Sequence, residues 1–372
     1  MTGVLRRARR EVPSFVALIE SWVFEDKRAL HGVALSRILA GFSVLGLLVT
    51  NFSVRNIAFG PGAVWANPAR DLSAYAPIEL VEDAGGLTFT VFYLGVMIIA
   101  SLYILGWHTR LVGPLMVIGN VAIVEQNPVL GDQGDNILRI GLITLLFMHT
   151  NEYWSLDARR RARTQRRPIL GRDPAGAIRS VIGNFWCSQF VLPRWFSNSI
   201  HNIALGVLAF QLFVIYIAAG MFKIQGTLWQ NGTALYYPLQ LQEFRPLPFL
   251  SDAFTHFGVI VAISTYSAVF IQLFFPPLLL HPVSRRIALA LIILLHLSIA
   301  ILMALPWFSL SMIAFDAIFV STSTYVAFDL WIRPRLRAIA DKFGKTASWR
   351  RQSVDPTPSR RSPARSGRPQ PR

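Results

Sequence analysis

The sequence predicts an all-α integral membrane protein, a polytopic bundle of about eight transmembrane helices with both termini in the cytoplasm. Hydrophobic residues make up 53% of the 372 residues and charged residues only 15%, which is too apolar for a soluble chain of this length. The apolar residues fall in long blocks, and most arginines lie between the blocks. The net charge of +16 therefore reflects membrane topology and predicts no nucleic-acid partner.

Eight apolar segments are long enough to cross a bilayer, which takes roughly 17–25 helical residues. They lie at about residues 33–50, 87–105, 110–125, 136–150, 201–222, 257–280, 286–304 and 307–328. The third and fourth are marginal in length, so tilt or flanking residues would have to extend them. Together they define a predicted transmembrane domain at residues 30–330.

The placement of arginine and lysine predicts the orientation of this domain. Three basic segments stand out: 1–29, 155–199 and 331–372. Three other loops carry few basic residues: 51–86, 126–135 and 223–256. Because basic loops stay in the cytoplasm, we expect a multi-pass plasma-membrane protein whose Lys223 faces the extracytoplasmic side.

The basic segments also predict partners. The loop 155–199 is expected to hold a short interfacial helix on anionic lipid, and the tail from Ser348 has the composition of a disordered segment. Cys187 is the single cysteine, so no internal disulfide forms. The N-terminus lacks the pattern of a removable signal peptide, and nothing indicates the oligomeric state.

One lysine lies where an apolar segment should give way to water. Lys223 ends the segment 201–222, and the following residues, including Asn231, are typical of a turn. Two interpretations stay open. The lysine is an interfacial anchor that extends its ammonium into the headgroups, or it is a partly desolvated amine that serves as a general base.

Further polar residues lie within or beside the predicted spans, where they are costly and tend to face the bundle interior. Asp135 and Arg139 are four residues apart and are expected to pair. Asp316 falls near the middle of the last span, so it needs a partner or a proton. His296 has no second histidine or cysteine at ligand spacing, so no metal site is predicted. Tyr216 lies two turns before Lys223 on the same helix face.

Aromatic residues after Lys223, including Trp229, suit the outer interfacial belt of a membrane protein. No Walker glycine loop, G-x-S-x-G, H-E-x-x-H or C-x-x-C motif occurs, so ATP-driven transport and zinc proteolysis have no support.

Five stretches, taken in order, resemble a known membrane family. They are LGWHTRL (105–111), EQNPVLGDQGDNILR (125–139), NEYWSLD (151–157), YIAAGMFKIQGTLWQNGTALYY (216–237) and HLSIAILM (296–303). This order resembles the HTTM domain family, whose members are similar to the membrane part of vitamin K-dependent γ-glutamyl carboxylase. The resemblance covers about residues 30–328.

The resemblance implies a catalytic role for Lys223. The carboxylase has an Ala-Gly-x-Lys-Lys-Leu stretch, followed by Trp and Gly, in which the second lysine is the base. The matching residues here are Ala219, Gly220, Lys223, Ile224, Trp229 and Gly232. By this resemblance Lys223 would deprotonate reduced menaquinone or vitamin K hydroquinone, which O2 would convert to an epoxide. Asp135 and His296 would be catalytic beside it, and substrate would contact Arg139, Tyr216, Trp229, Asn231 and Asp316.

Phe222 replaces the first lysine of the pair. Three further differences from the carboxylase argue against carboxylation of glutamate. Asp135 lies at or next to the place of an important histidine. Gln272 stands where relatives are expected to carry an acidic residue. The predicted organisation also includes no large lumenal domain of the kind that holds carboxylase substrates.

Two other functions stay open. The first is a non-catalytic accessory protein for maturation, export or immunity of a secreted peptide, which some relatives accompany. The second is a proton-coupled carrier that uses Asp316 and His296.

Overall fold

The computed structural model describes residues 14–72, 75–81, 84–165, 193–332 and 334–335. Within these residues every regular element is a helix, as predicted. Two compact units divide the chain, Met1–Thr322 and Ser323–Arg372. The first holds all of the packing described below, and the described part of the second consists of helical residues.

Eight α-helices precede residue 166 in the described part of the chain. They are α1 (Phe15–Phe24), α2 (Leu30–Thr50), α3 (Arg55–Ala58), α4 (Asn67–Arg70), α5 (Gly86–Leu105), α6 (Thr109–Val124), α7 (Gln133–Leu146) and α8 (Leu156–Gln165). The later helices are α9 (Arg194–Gln225), α10 (Thr227–Gln230), α11 (Pro248–Thr255), α12 (Gly258–Leu278), α13 (Pro282–Leu302), α14 (Pro306–Asp316) and α15 (Thr322–Ile332).

Among the described residues, five helices are long and apolar enough to cross a membrane, not eight: α2, α5, α9, α12 and α13. A sixth is added if α14, the turn after it and α15 are counted as one span. The predicted third and fourth spans correspond to α6 and α7, which have 16 and 14 residues. At about 1.5 Å per residue they are shorter than the roughly 30 Å hydrocarbon core. The chain is a multi-pass membrane protein, and its orientation stays a prediction.

The sequence did not predict helix α1, which lies inside the segment assigned as basic, 1–29. Asn202 on α9 is fully buried, and its amide donates to the backbone carbonyls of Trp22 and Asp26 at 3.0 and 2.8 Å. A ten-residue apolar helix is too short to span a bilayer, so a search for membrane spans in the sequence does not find it. Residues 1–13 lie outside the described part of the chain.

The helix contacts nearest the candidate site involve α14 and α9. Helix α14 packs against α2, α7 and α13, and α9 packs against α12. Small residues allow these approaches. A Cβ atom at Gly141 would lie 2.1 Å from the ring of Phe315, and one at Gly220 would lie 3.2 Å from Leu273. Gly141 therefore lets α7 and α14 approach closely, and Gly220 does the same for α9 and α12.

The basic loop 155–199 begins with α8, which agrees with a short helix there, while residues 166–192 are outside the described part. The helix includes Arg159, Arg160 and Arg161 and no acidic residue after Asp157. Its contact with anionic lipid stays a prediction. The predicted disordered tail from Ser348 also lies outside the described residues.

A fully buried arginine, Arg37 on α2, joins α2 to the end of α5 and to residues 150–154. Its guanidinium donates to the backbone carbonyls of Thr150 at 3.1 Å and Trp154 at 2.8 Å. A third acceptor is the carbonyl of Ile104 at 3.4 Å. A buried carbonyl without a hydrogen-bond donor costs free energy. The Arg37 side chain therefore stabilises the fold by donating to backbone carbonyls at the end of α5 and in residues 150–154.

We expect Arg37→Met to lower the free energy of unfolding by about 3 kcal/mol, because three carbonyls lose the donor that this buried side chain provides. SDS-induced unfolding of purified protein, followed by circular dichroism, measures this. Arg159→Met, an exposed arginine on α8, is the control and should stay within about 0.5 kcal/mol of the wild type. Equal stability of both variants would contradict the role of Arg37.

Candidate functional site

Lys223 lies on the last turn of α9, where this helix contacts α12. Its ammonium donates to Oε1 of Gln272 at 2.7 Å and lies 5.2 Å from the centre of the Trp229 ring, within the range of a cation–π contact. The side chain is half-buried. In the described part of the chain no carboxylate forms an ion pair with it. The amine is therefore held by an amide and an aromatic ring.

Two turns deeper, three buried side chains from three helices form a polar cluster. The hydroxyl of Tyr216 on α9 donates to Oδ2 of Asp316 on α14 at 2.7 Å. The same hydroxyl oxygen lies 3.3 Å from Nε2 of His296 on α13. Tyr216 is 0% exposed, and His296 and Asp316 are each 1% exposed. The structure thus brings together three residues that the sequence analysis named separately.

Two hydrogen-bond acceptors in this cluster have no donor among the described residues. A tyrosine hydroxyl has one proton, and Tyr216 donates it to Asp316, so a hydrogen bond between Tyr216 and His296 requires the proton of His296 to be on Nε2. In a neutral imidazole the other nitrogen, Nδ1, is then an acceptor. Neither this Nδ1 nor Oδ1 of Asp316 has a hydrogen-bond partner among the described residues. Both atoms are buried, so each is a ready acceptor for a donor that enters from outside the chain.

Aromatic rings surround the polar cluster. Phe275 packs against Tyr216 with ring centres 4.8 Å apart, and Phe308 lies 5.9 Å from His296. Phe319 lies 5.7 Å from Phe275 and stacks on Phe213 at 5.5 Å. A flat, apolar molecule with hydroxyl donors matches the chemistry of these surroundings.

Lys223 and Tyr216 both lie in the contact between α9 and α12. Tyr216 faces Phe275 and Lys223 faces Gln272, so the chains of α9 and α12 run in opposite directions past each other. Seven helical residues separate Tyr216 from Lys223, which is about 10.5 Å along the axis.

Asp135 and Arg139 do not pair with each other, so this prediction was wrong. Asp135 accepts a hydrogen bond from the backbone N–H of Asp132 at 3.0 Å, as part of the cap that starts α7. Arg139 instead forms an ion pair with Glu125 and donates to Asn136 at 2.6 Å. Backbone N–H groups at the start of a helix compete with side-chain donors for a nearby carboxylate. Here a backbone N–H of the helix cap binds Asp135, and Arg139 does not.

Gly134, the neighbour of Asp135 on α7, connects this helix to the cluster through Phe308. Burial, and then the neighbouring Asp132 carboxylate, raise the pKa of Asp135 to about 6. A Cβ atom at Gly134 would lie 2.9 Å from Cα of Phe308, and Phe308 packs on His296. No described contact joins Asp135 or Arg139 to Lys223, so their roles in a shared site stay predictions.

Of the other predicted substrate contacts, Trp229 lies beside Lys223, whereas Asn231 is exposed in the turn that follows. Gln272 was known from the sequence only as a difference from relatives, although it is the direct partner of Lys223. A single polar residue within FIQLFFPPLLL was the available signal. Within the described residues no group of three or more potential metal ligands occurs.

We expect Tyr216→Phe to lower the free energy of unfolding by about 1–3 kcal/mol, because Asp316 would then have no donor for either oxygen in a buried position. SDS-induced unfolding measures this. The matched control is Tyr266→Phe, whose half-exposed hydroxyl donates to the carbonyl of Gln230 at 2.9 Å and should matter by less than about 1 kcal/mol. Equal losses in the two variants would rule out a special role for the cluster.

Comparison with known proteins gives one family match. Residues 187–323 match the model of the HTTM domain, a domain found in vitamin K-dependent carboxylase. No curated protein and no solved structure matches the chain. The matched range holds Lys223, Gln272 and the whole Tyr216 cluster, whereas the resemblance predicted for the earlier stretches, 105–157, lies outside it. The resemblance is thus confirmed over residues 187–323, and the chain is a multi-pass membrane protein in which this range is similar to the HTTM domain.

Proposed function

We propose that this protein oxidises a reduced lipid quinone with O2 and uses Lys223 as the general base. The observation that carries the proposal is the environment of Lys223, a half-buried amine whose partners are Gln272 and Trp229. A lysine without a carboxylate partner loses less on giving up its charge than one in an ion pair. Its position at the end of an apolar helix is one that a lipid-soluble substrate can reach.

The residues near Lys223 fit a quinol in chemistry. A quinol has a flat aromatic ring and two hydroxyl donors. The aromatic side chains around the cluster offer stacking partners, and the free acceptors are Nδ1 of His296 and Oδ1 of Asp316. Lys223 supplies a third acceptor when neutral. Buried acceptors without donors are rare, which supports a bound donor in this region.

In the proposed reaction, Lys223 accepts the proton of one quinol hydroxyl and holds it as an ammonium. Gln272 keeps the amine in place through its Oε1 atom, and the Tyr216 hydrogen bond fixes His296 with Nδ1 free to accept from the second hydroxyl. Molecular oxygen is the oxidant. One oxygen atom enters the epoxide and the other leaves as water, so quinol and O2 give quinone epoxide and water with atoms and electrons balanced. Carboxylation of glutamate is not part of the proposal.

We expect Lys223→Ala to lower epoxide formation by at least about 100-fold, the lower end of the usual contribution of a general base. The assay uses purified protein in proteoliposomes with reduced menaquinone or vitamin K hydroquinone under oxygen, and mass spectrometry detects the epoxide. Lys223→Arg should be as inactive as Lys223→Ala, because a guanidinium keeps its proton.

Gln272→Leu is the matched variant that leaves the lysine in place but removes its partner, and we expect an intermediate loss of activity. Each variant is first shown to have wild-type circular dichroism. Full epoxide formation by Lys223→Ala would overturn the assignment of the base. Absence of epoxide from folded wild-type protein with either quinol would overturn the proposed reaction.

A second candidate is an accessory role for a secreted peptide, and the loop after α9 favours it. Between residues 227 and 257 several apolar side chains are exposed, among them Tyr237 at 51%, Leu241 at 51% and Phe249 at 84%. Phe249 lies on α11, and Tyr237 and Leu241 lie in the segment before it. Exposed aromatic and aliphatic groups of this kind are suited to hold an extended apolar peptide.

If this second function holds, a defined small peptide should co-purify with the protein from its native membrane. Phe249→Ser with Leu241→Ser should remove the peptide, because the change deletes apolar contact area, whereas Lys223→Ala should leave it bound. Mass spectrometry of the purified complex measures this. A peptide that is retained in the double variant, or lost in Lys223→Ala, would contradict a contact surface in this loop.

A further inference from the structure

The short segment after Lys223 folds back onto the end of α9 and contacts α12. We call residues 226–233 the strap; it consists of α10 and the turns on either side of it. At its start the backbone N–H of Gly226 donates to the carbonyl of Lys223 at 3.0 Å. Further along, the side-chain amide of Gln230 donates to the carbonyl of Ile224 at 2.8 Å. The strap is therefore closed onto the last turn of the helix that carries the proposed base.

The strap carries Trp229, and the ammonium of Lys223 lies over its ring, 5.2 Å from the ring centre. The ring also lies against Gly226, where a Cβ atom would come 3.0 Å from it. A quinol hydroxyl must come within about 3 Å of the amine to give up its proton. The position of Trp229 therefore decides how much of the amine a substrate or a reagent can reach.

Tyr266 on α12 holds the far end of the strap. Its hydroxyl donates to the carbonyl of Gln230 at 2.9 Å. Gln230 ends α10, and the last carbonyls of a helix have no partner within the helix. Just after the strap, the backbone N–H of Leu235 donates to Oγ1 of the buried Thr265 at 3.4 Å. The helix that contacts the amine through Gln272 thus also fixes the segment that covers it.

Gly232 allows the strap to approach Tyr266 closely. Its φ of +72° lies in the left-handed region that favours glycine. A Cβ atom at this position would lie 3.1 Å from the Tyr266 ring. A larger residue would strain the backbone and press against the ring, so this close approach and the hydrogen bond to Gln230 fix the strap independently.

We propose that Tyr266 is a positioning residue of the Lys223 site, which keeps Trp229 beside the amine by fixing the strap. Tyr266 acts through Gln230 and Gly232 rather than on the amine itself. With the strap in place, the Trp229 ring limits access to one side of the amine and offers a face on which a quinol ring can stack. The catalytic meaning of this arrangement rests on the proposed function, whereas the position of the strap does not.

The test measures how fast Lys223 is acetylated by N-hydroxysuccinimidyl acetate in the full chain in detergent, with peptide mass spectrometry as the readout. Lys27, in the segment between α1 and α2, is the internal reference, because a general loss of stability would raise the rates of both lysines. Relative to Lys27, acetylation of Lys223 should rise about threefold in Tyr266→Phe, which removes one hydrogen bond. It should rise about tenfold in Gly232→Val, because a β-branched residue is strained at positive φ.

The matched control is Tyr236→Phe, which removes a hydroxyl from a residue of the same loop that is 43% exposed. Its Lys223 should react as in the wild type. Trp229→Ala should raise the relative rate at least as much as Tyr266→Phe does. Tyr266→Phe added to Trp229→Ala should change the rate by less than about twofold, because mutations that act through one contact are not additive.

An unchanged relative rate in Tyr266→Phe would overturn the role of its hydroxyl, and an unchanged rate in Gly232→Val as well would overturn the role of the strap. An equal rise in Tyr236→Phe would show that the effect is not specific to Tyr266. Fully additive effects of Tyr266→Phe and Trp229→Ala would overturn its action through Trp229. None of these rates requires quinol turnover, so absence of epoxide would overturn the proposed function and leave this inference standing.

Discussion

The hydrogen bond from Tyr216 to Asp316 joins the helices on which the candidate site depends. Asp316 ends α14, which packs against α2 and α7, whereas Tyr216 lies on α9, which packs against α12. Inside a bilayer a carboxyl group without a hydrogen-bond donor is costly. The hydrogen bond between Tyr216 and Asp316 therefore favours one arrangement of α9 against α14. The position of Lys223 follows from it, because the same helix carries both residues.

The position of most helices could be predicted from the sequence, because long apolar segments have few alternatives in a membrane. The predicted span 87–105 is α5 to within one residue at its start, and 257–280 differs from α12 by one or two residues. The predicted number of membrane spans was too high because two predicted spans are too short and one is interrupted. Helices α6 and α7 are apolar but short, and the predicted last span is interrupted after Phe319, where no proline or charge marks a break.

The site residues could be predicted one at a time but not as a set. Asp316 and His296 are conspicuous because each is polar within an apolar helix, and helical period alone places Tyr216 on the face of Lys223. Their meeting depends on contacts across 80 and 100 residues of chain, which no local pattern encodes. The predicted pair of Asp135 and Arg139 was wrong for a local reason. The rule that residues four apart can pair took no account of the helix cap, in which Asp135 accepts a backbone hydrogen bond.

The structure also bears on the two interpretations of Lys223. An interfacial anchor gains by extending its ammonium into water and headgroups, so it needs no partner on a neighbouring helix. Lys223 instead turns to Gln272 on α12 and lies over Trp229, which costs side-chain entropy that an anchor would keep. A neutral amide holds the amine in position without stabilising its charge as a carboxylate would. An amine that is held in position in this way, without a carboxylate to stabilise its charge, is what the proposed role of general base requires.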